Sequence, residues 1–186
     1  MIGYAFSGSF CTLGRSLASL ERLVLSGYDV QPIMSERAYN TDTRFASAVE
    51  FREAVSSICK RDIIHTVEEA EPLGPKIVLD ALVIAPCTGN TLAKIATGVT
   101  DTAVTMAAKA HLRCDRPILL ALCSNDALSQ NLPNLARILE RKGAYLVPMR
   151  QDDPEHKPHS LVADFSRIGE CLDAALGGKQ LRPIFI

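Results

Sequence analysis

The stretch from Ala81 to Thr102, ALVIAPCTGNTLAKIATGVTDT, constrains the fold of this chain more than any other. It opens on the apolar run Ala81-Leu82-Val83-Ile84-Ala85, and Pro86, which carries no N–H for a strand ladder, ends the run. Cys87-Thr88-Gly89-Asn90-Thr91 follows, small and rich in hydroxyl and amide groups. Leu92, Ile95 and Ala96 then resume at helical spacing. The pattern predicts a buried strand stopping at Pro86, a tight polar turn and a helix. In an open α/β sheet the carboxyl ends of strands face the ligand crevice. A helix N-terminus there presents free backbone N–H groups and a partial positive charge, and Thr88, Asn90 and Thr91 add side-chain donors. The same residues also suit an ordinary strand-to-helix connection with a Thr or Asn cap.

The rest of the chain repeats the unit. Ile2 to Phe6 reads as a strand, Ser7-Gly8-Ser9 as a turn, and Leu13, Leu17, Leu20 and Val24 as one face of a helix from Thr12 to Leu25. Strand, Ser-Gly-Ser and helix form either a phosphate cradle or a plain glycine-containing turn. Neither G-x-G-x-x-G nor G-x-x-x-x-G-K-[ST] is present. Val30 to Met34 is a short strand that Pro32 assigns to an edge or a bulge, with Ser35 at its carboxyl end. Arg37 to Arg44 is polar and irregular, suited to a loop that closes over a site or to a solvated linker. A second amphipathic helix spans Ala46 to Lys60, and Glu68, Glu69 and Glu71 read as a solvated turn before Pro72.

Thr100 or Asp101 is expected to cap a helix through His111. Pro117 to Cys123 is a buried strand of the parallel type, followed by Ser124-Asn125-Asp126. Leu128, Leu132, Leu135 and Leu139 mark a helix whose regular part starts at Pro133, and Ala144 to Pro148 a last strand. After the polar loop Gln151 to Ser160, Leu161, Phe165, Ile168 and Leu172 predict a final helix capped by Ser160. The tail, residues 177–186, ends on Ile184-Phe185-Ile186 and is expected to dock on its own domain or a neighbouring subunit. This order of elements builds an open, mainly parallel sheet of five or six strands with helices on both faces. Four polar points then share one rim: Ser7-Gly8-Ser9, Ser35, Thr88 to Thr91, and Ser124-Asn125. Such a rim favours a phosphorylated ligand with an uncharged ring.

Composition narrows the function classes. A chain of 186 residues suits one domain. Its net charge is −1 with no Lys/Arg block, so neither nucleic acid nor a membrane surface is an expected partner. No apolar run is long enough to span a bilayer, and the N-terminus does not read as a signal peptide, which points to the cytoplasm. The six cysteines form no C-x-x-C pair and the four histidines no H-E-x-x-H pattern, so no metal site is expected. His156 and His159, three apart, lack further ligands.

Residues 85–101, APCTGNTLAKIATGVTD, resemble the A-P-x-x-x-N-T-x-A-K-x-A-x-G-x-x-D signature of the flavoprotein family that includes the cysteine-type decarboxylases and the flavin prenyltransferases. GYAFSGSFCT, DTRF, EAEPLGPK, TMAAKAHLR, SNDAL, QDDPEHKPHSLVAD and GKQLRPIFI extend the resemblance, toward one branch of that family, over nearly the whole chain. It implies a Rossmann-like three-layer α/β/α domain that forms homo-oligomers and binds FMN between protomers. By position, Ser7, Gly8 and Ser9 match the first phosphate-and-flavin loop, Ser35 the hydroxyl residue after strand two, and Thr88, Asn90 and Thr91 the central loop. Ser124 and Asn125 fall where the decarboxylases carry P-x-M-N, a motif this chain lacks. Their H-I-x-L histidine, counted back from Pro86, corresponds to Pro72, and His65 lies seven residues earlier, so cysteinyl decarboxylation is not expected.

The branch implies oxidation of a small-molecule pyridine dicarboxylate precursor in a sporulating bacterium, together with a partner polypeptide that carries the nicotinamide cofactor NAD(P). An alternative is a non-redox role, in which the chain stabilises that partner. A dicarboxylate needs cations, and Arg is the better bidentate donor. Arg44, Lys94, Lys109 and Arg113 are the candidates, Arg44 first, with His111 as a candidate proton carrier.

Overall fold

The computed structural model describes residues 1–186. Strand β1 (Ile2–Phe6) leads through a 3-10 turn (Phe10–Thr12) into α1 (Leu13–Leu25). Then follow β2 (Val30–Met34), α2 (Glu36–Asn40), α3 (Ala48–Cys59) and α4 (Val67–Ala70). The middle of the chain is β3 (Leu82–Thr88), α5 (Gly89–Thr97), α6 (Ala103–Leu112), β4 (Ile118–Ser124) and α7 (Leu132–Glu140). The last third is β5 (Ala144–Leu146), β6 (Met149–Arg150), β7 (Leu161–Ala163), a 3-10 turn (Phe165–Arg167) and α8 (Ile168–Leu176).

The strands form one sheet in the order β2-β1-β3-β4-β7-β6, with β5 alongside the first half of β4. β1 to β5 pair in parallel, and β7 runs antiparallel to both β4 and β6. Successive side chains of a strand point to opposite faces, and the core divides accordingly. Tyr4, Phe6 and Val83 pack with Leu20, Phe51 and Leu172 under α1, α3 and α8. Leu82, Ile84 and Leu120 pack with Leu92, Val104 and Leu135 under α5, α6 and α7. β3 and β4 are covered on both faces, which is why they read as continuous apolar runs rather than alternating ones. The result is the Rossmann-like α/β/α arrangement.

Pro86 does not end the central strand. β3 continues through it to Thr88, and its register against β4 shifts between Ile84 and Cys87. The irregularity accommodates a residue without an N–H. The Pro86 carbonyl turns toward β1 and accepts from the Ser7 N–H at 3.2 Å and the Ser7 hydroxyl at 2.7 Å. Ser7 Oγ in turn accepts from the Thr88 N–H at 3.0 Å. One buried hydroxyl therefore ties the ends of β1 and β3 together.

Other departures from the sequence pattern have local causes. Leu161 and Phe165 are both buried, as helical spacing requires, but the chain between them is extended, because Leu161 and Val162 pair with Ser124 and Cys123. This segment and β6 raise the strand number to seven. The polar stretch after β2 begins with a helical turn rather than loop, since the Ser35 hydroxyl accepts from the Ala38 N–H. Glu68 and Glu69 lie in another such turn, closed by a capping box between Thr66 and Glu69. Thr102, not Thr100 or Asp101, caps α6, while Asp101 pairs with Lys94. The tail docks on its own domain: Met149 donates to the Ile184 carbonyl and accepts from the Ile186 N–H, and Gln180 bridges both backbone groups of Leu146. No helix is long and apolar enough to cross a membrane.

His111 is also placed differently. It lies near the C-terminus of α6 at 1% exposure, with Nε2 2.9 Å from the carbonyl of Pro117, at the opposite end of β4 from Ser124. Nε2 must carry the proton for that bond, and Nδ1 faces its buried surroundings without a partner. Protonating Nδ1 would bury a charge, and desolvation lowers the pKa from 6.5 to about 4. A proton role at the rim is thereby excluded for His111.

Two outcomes are expected. The unfolded chain protonates His111 near pH 6.5 and the folded chain only near 4. Stability is therefore full above pH 6.5 and falls as pH drops toward 4, by on the order of 3 kcal/mol. Urea midpoints measured from pH 7 to 4 should decline less steeply for His111→Gln, which keeps a donor for Pro117. Ser7→Ala takes the acceptor from the part-buried Thr88 N–H and the hydroxyl donor from the Pro86 carbonyl, and should cost about 1–3 kcal/mol in the same measurement at pH 7.

Candidate functional site

The carboxyl ends of β1, β2, β3 and β4 open onto two adjoining cavities. One, of about 370 Å³, has no hydrophobic lining residue. Ser7 and Gly8 line it from the end of β1, Ser35 from β2, and Thr88, Asn90 and Thr91 from β3 and α5. The starts of α2, α5 and α6 all reach it, through the cap residues Ser35, Thr88 and Thr102. Lys94 and Arg37 supply positive charge, and Glu36 and Asp101 oppose it. Asp101 is held ionised below the usual carboxylate range by its hydrogen bond from Lys94 at 2.8 Å.

The second cavity, of about 570 Å³, shares Gly8, Thr88 and Asn90 with the first. Ser9, Ser124 and Asn125 belong to it, as do Arg44 and Phe45. The structure therefore gathers Ser7, Gly8, Ser9, Ser35, Thr88, Asn90, Thr91, Ser124 and Asn125 around one crevice. The β3–α5 segment brings this about locally. Thr88 Oγ1 accepts from the Thr91 N–H at 3.1 Å and closes the first turn of α5. A side chain at Gly89 would overlap the Ser124 hydroxyl and come within 2.6 Å of Asn131 Nδ2, so only glycine lets α5 start this close to the β4 loop.

The gathered side chains are not equivalent. Ser7 is spent between Pro86 and Thr88, and Thr88 between the N–H and the hydroxyl of Thr91, whereas Ser35 and Thr91 only accept, from the Ala38 N–H and from the Thr88 hydroxyl, and keep their own O–H. Ser124 donates to Asp126, whose carboxylate also accepts from Asn131 Nδ2 at 3.0 and 2.9 Å. These residues shape the wall. Ser9 Oγ lies 3.0 Å from Thr12 Oγ1 as an acceptor and keeps its own O–H, while the Asn90 and Asn125 amides have no protein partner. Backbone N–H groups of the first turn of α5 lack intrahelical acceptors. The free donors are thus Ser9, Ser35, Asn90, Thr91, Asn125 and the α5 backbone.

Arg44 lines the larger cavity with its guanidinium 4.8 Å from the Phe45 ring centroid. Lys94 lines the polar one, paired to Asp101. Lys109 on α6 and Arg113 just after it lie elsewhere, around a small cavity that neither Ser9 nor Ser124 touches. His65 stacks on Tyr39 at 3.9 Å and pairs with Glu69, outside both cavities, and Pro72 lies in a turn. Asp152, Lys157 and Ser160 are crevice residues absent from the sequence-based set. No local pattern marks them, because the β6–β7 connection reaches the crevice only through strand pairing. Cys123 also lines the cavity, and burial pushes its thiol up to about 11.

Comparison with known proteins gives the family of the chain. Residues 1–167 match the family described as Flavoprotein. The chain is 40% identical over 185 residues to the B-type subunit of dipicolinate synthase from Bacillus subtilis, covering all of this chain and 92% of the relative. The crystal structure of the same dipicolinate synthase component from Bacillus halodurans superposes with a TM-score of 0.92 at 40% identity, over 100% of this chain and 95% of that one. A dodecameric FMN-dependent UbiX-like decarboxylase from Escherichia coli O157:H7 shares the fold, with a TM-score of 0.62 at 21% identity over 80% of each chain. By sequence match and by fold, the chain belongs to the Flavoprotein family.

Proposed function

We propose that this chain is the flavin-binding component of a dipicolinate synthase, acting with the enzyme's nicotinamide-dependent component, its A-type subunit. The pair would oxidise dihydrodipicolinate, or its hydrated precursor, to dipicolinic acid in the cytoplasm of the mother cell of a sporulating bacterium. One observation carries the reading: an all-polar cavity at three helix starts opens directly into a larger, partly apolar one. That donor set fits FMN. A phosphate suits the polar cavity, where Lys94 and the α5 N-terminus supply positive charge. The larger cavity, with Phe10 and Phe45 in its wall, suits a planar ring. Gly8 agrees with this, because a side chain there would meet nothing in the chain closer than 3.8 Å. Packing does not require the glycine, whereas a closely approaching ligand does.

In this reading Ser9, Asn90 and Asn125 hold and orient the flavin, and Ser7 and Thr88 keep the loop that carries Asn90 in place. Bound flavin supplies a two-electron acceptor for the substrate. The chain contributes orientation and charge, with Arg44 facing a carboxylate of the substrate. NAD(P) belongs to the partner component. Several copies of the chain assemble, a reading supported by the dodecameric relative and by half-exposed Phe185 and Ile186.

Titration of the purified protein with FMN, followed by the flavin absorbance spectrum, tests the reading. Saturable binding is expected, and Asn90→Ala and Ser9→Ala should each weaken it by about tenfold, the effect of losing one ligand hydrogen bond. Protein that stays colourless at saturating FMN would overturn it.

A further inference from the structure

We propose that Arg44 and Lys157 form a two-ended clamp for a dianionic ligand, one carboxylate to each cation. The proposal rests on the dipicolinate reading for the identity of the ligand and on the topology for the clamp itself. Arg44 follows α2, on the β2 edge of the sheet, and Lys157 lies in the β6–β7 connection at the other edge. The two are far apart in sequence and belong to opposite ends of the sheet, yet both residues line the same 570 Å³ cavity. They are its only cations.

Each retains unspent donors. Arg44 makes no side-chain hydrogen bond and no ion pair, and its guanidinium lies against the face of Phe45. Lys157 Nζ reaches Asp152 Oδ2 only at 3.4 Å, the longest of the chain's ion pairs, and an ammonium has three protons to give. The acids facing the cavity are already committed. Asp126 accepts from Ser124 and Asn131, and the hydroxyl of Ser160, with Lys157, holds Asp152 ionised below the usual range.

The loop bearing Lys157 is preorganised. The Lys157 N–H donates to the Asp153 carbonyl at 2.7 Å, and the Ser160 N–H to the Lys157 carbonyl at 3.0 Å. Gln151 Nε2 closes the loop on the Pro158 carbonyl at 2.8 Å, and the Leu128 N–H fastens it to the His159 carbonyl at 2.9 Å. Lys157 is therefore presented at the crevice on a fixed backbone, which lowers the ordering cost of binding. A planar pyridine with a carboxylate on each side of its nitrogen matches cations arriving from two sides, and a monocarboxylate engages only one.

Calorimetric titration with pyridine-2,6-dicarboxylate and with pyridine-2-carboxylate tests the clamp, on protein with and without saturating FMN. Wild type is expected to bind the dicarboxylate at least about tenfold more tightly than the monocarboxylate. Lys157→Gln and Arg44→Gln should each bring the two affinities to within about threefold, with thermal midpoints near that of wild type because both side chains are on the surface. A wild type without the preference, or either variant that keeps it, overturns the clamp. Failure of FMN to bind overturns the flavin reading alone, since the titrations without FMN still decide the clamp.

Discussion

The crevice depends on how β3 ends. Pro86 cannot donate to β4, so the register shifts there, and the freed carbonyl needs a donor that is not water. Ser7 supplies it from the neighbouring strand and accepts from Thr88 in the same step. That exchange sets the height of Thr88 above the sheet, and Thr88 in turn caps α5. Gly89 then lets α5 start against the Ser124–Asp126–Asn131 network. Strand end, cap, helix axis and rim of the next loop are thus linked through a few buried polar contacts.

The division of labour within the rim follows from this. The Ser7 hydroxyl points back into the sheet and is consumed by backbone groups that burial would otherwise leave unpaired, while Ser35 and Thr91 accept a hydrogen bond and keep a proton for the cavity. Residues one or two positions further out, Ser9, Asn90 and Asn125, satisfy no backbone group with their side chains and line the larger cavity. A rim rich in Ser, Thr and Asn is therefore two populations, one architectural and one available to a ligand. Residue type does not separate them, whereas hydrogen-bond accounting does.

Parallel order, both helical layers and the rim residues are legible in apolar runs that end in small polar turns. Boundaries are lost where one residue serves two patterns. Leu161 and Phe165 satisfy helical spacing from an extended segment, and Pro86 looks like a terminus while acting as a bulge. His111 looks like a functional histidine because its type suggests titration, yet burial against Pro117 withdraws it from the crevice.

The sequence by itself determined the class of fold and the four strand ends that make a crevice, because strand burial and helix start signals are local and repeat along the chain. Only the tertiary structure decided which donors remain free and which distant loops meet there. Lys157 joins Arg44 in one cavity wall through an antiparallel return strand, β7, whose pairing with β4 no local pattern encodes. Long-range strand pairing and the satisfaction of buried polar groups are properties of the assembled sheet, and they turned a series of polar turns into one crevice with a defined set of donors.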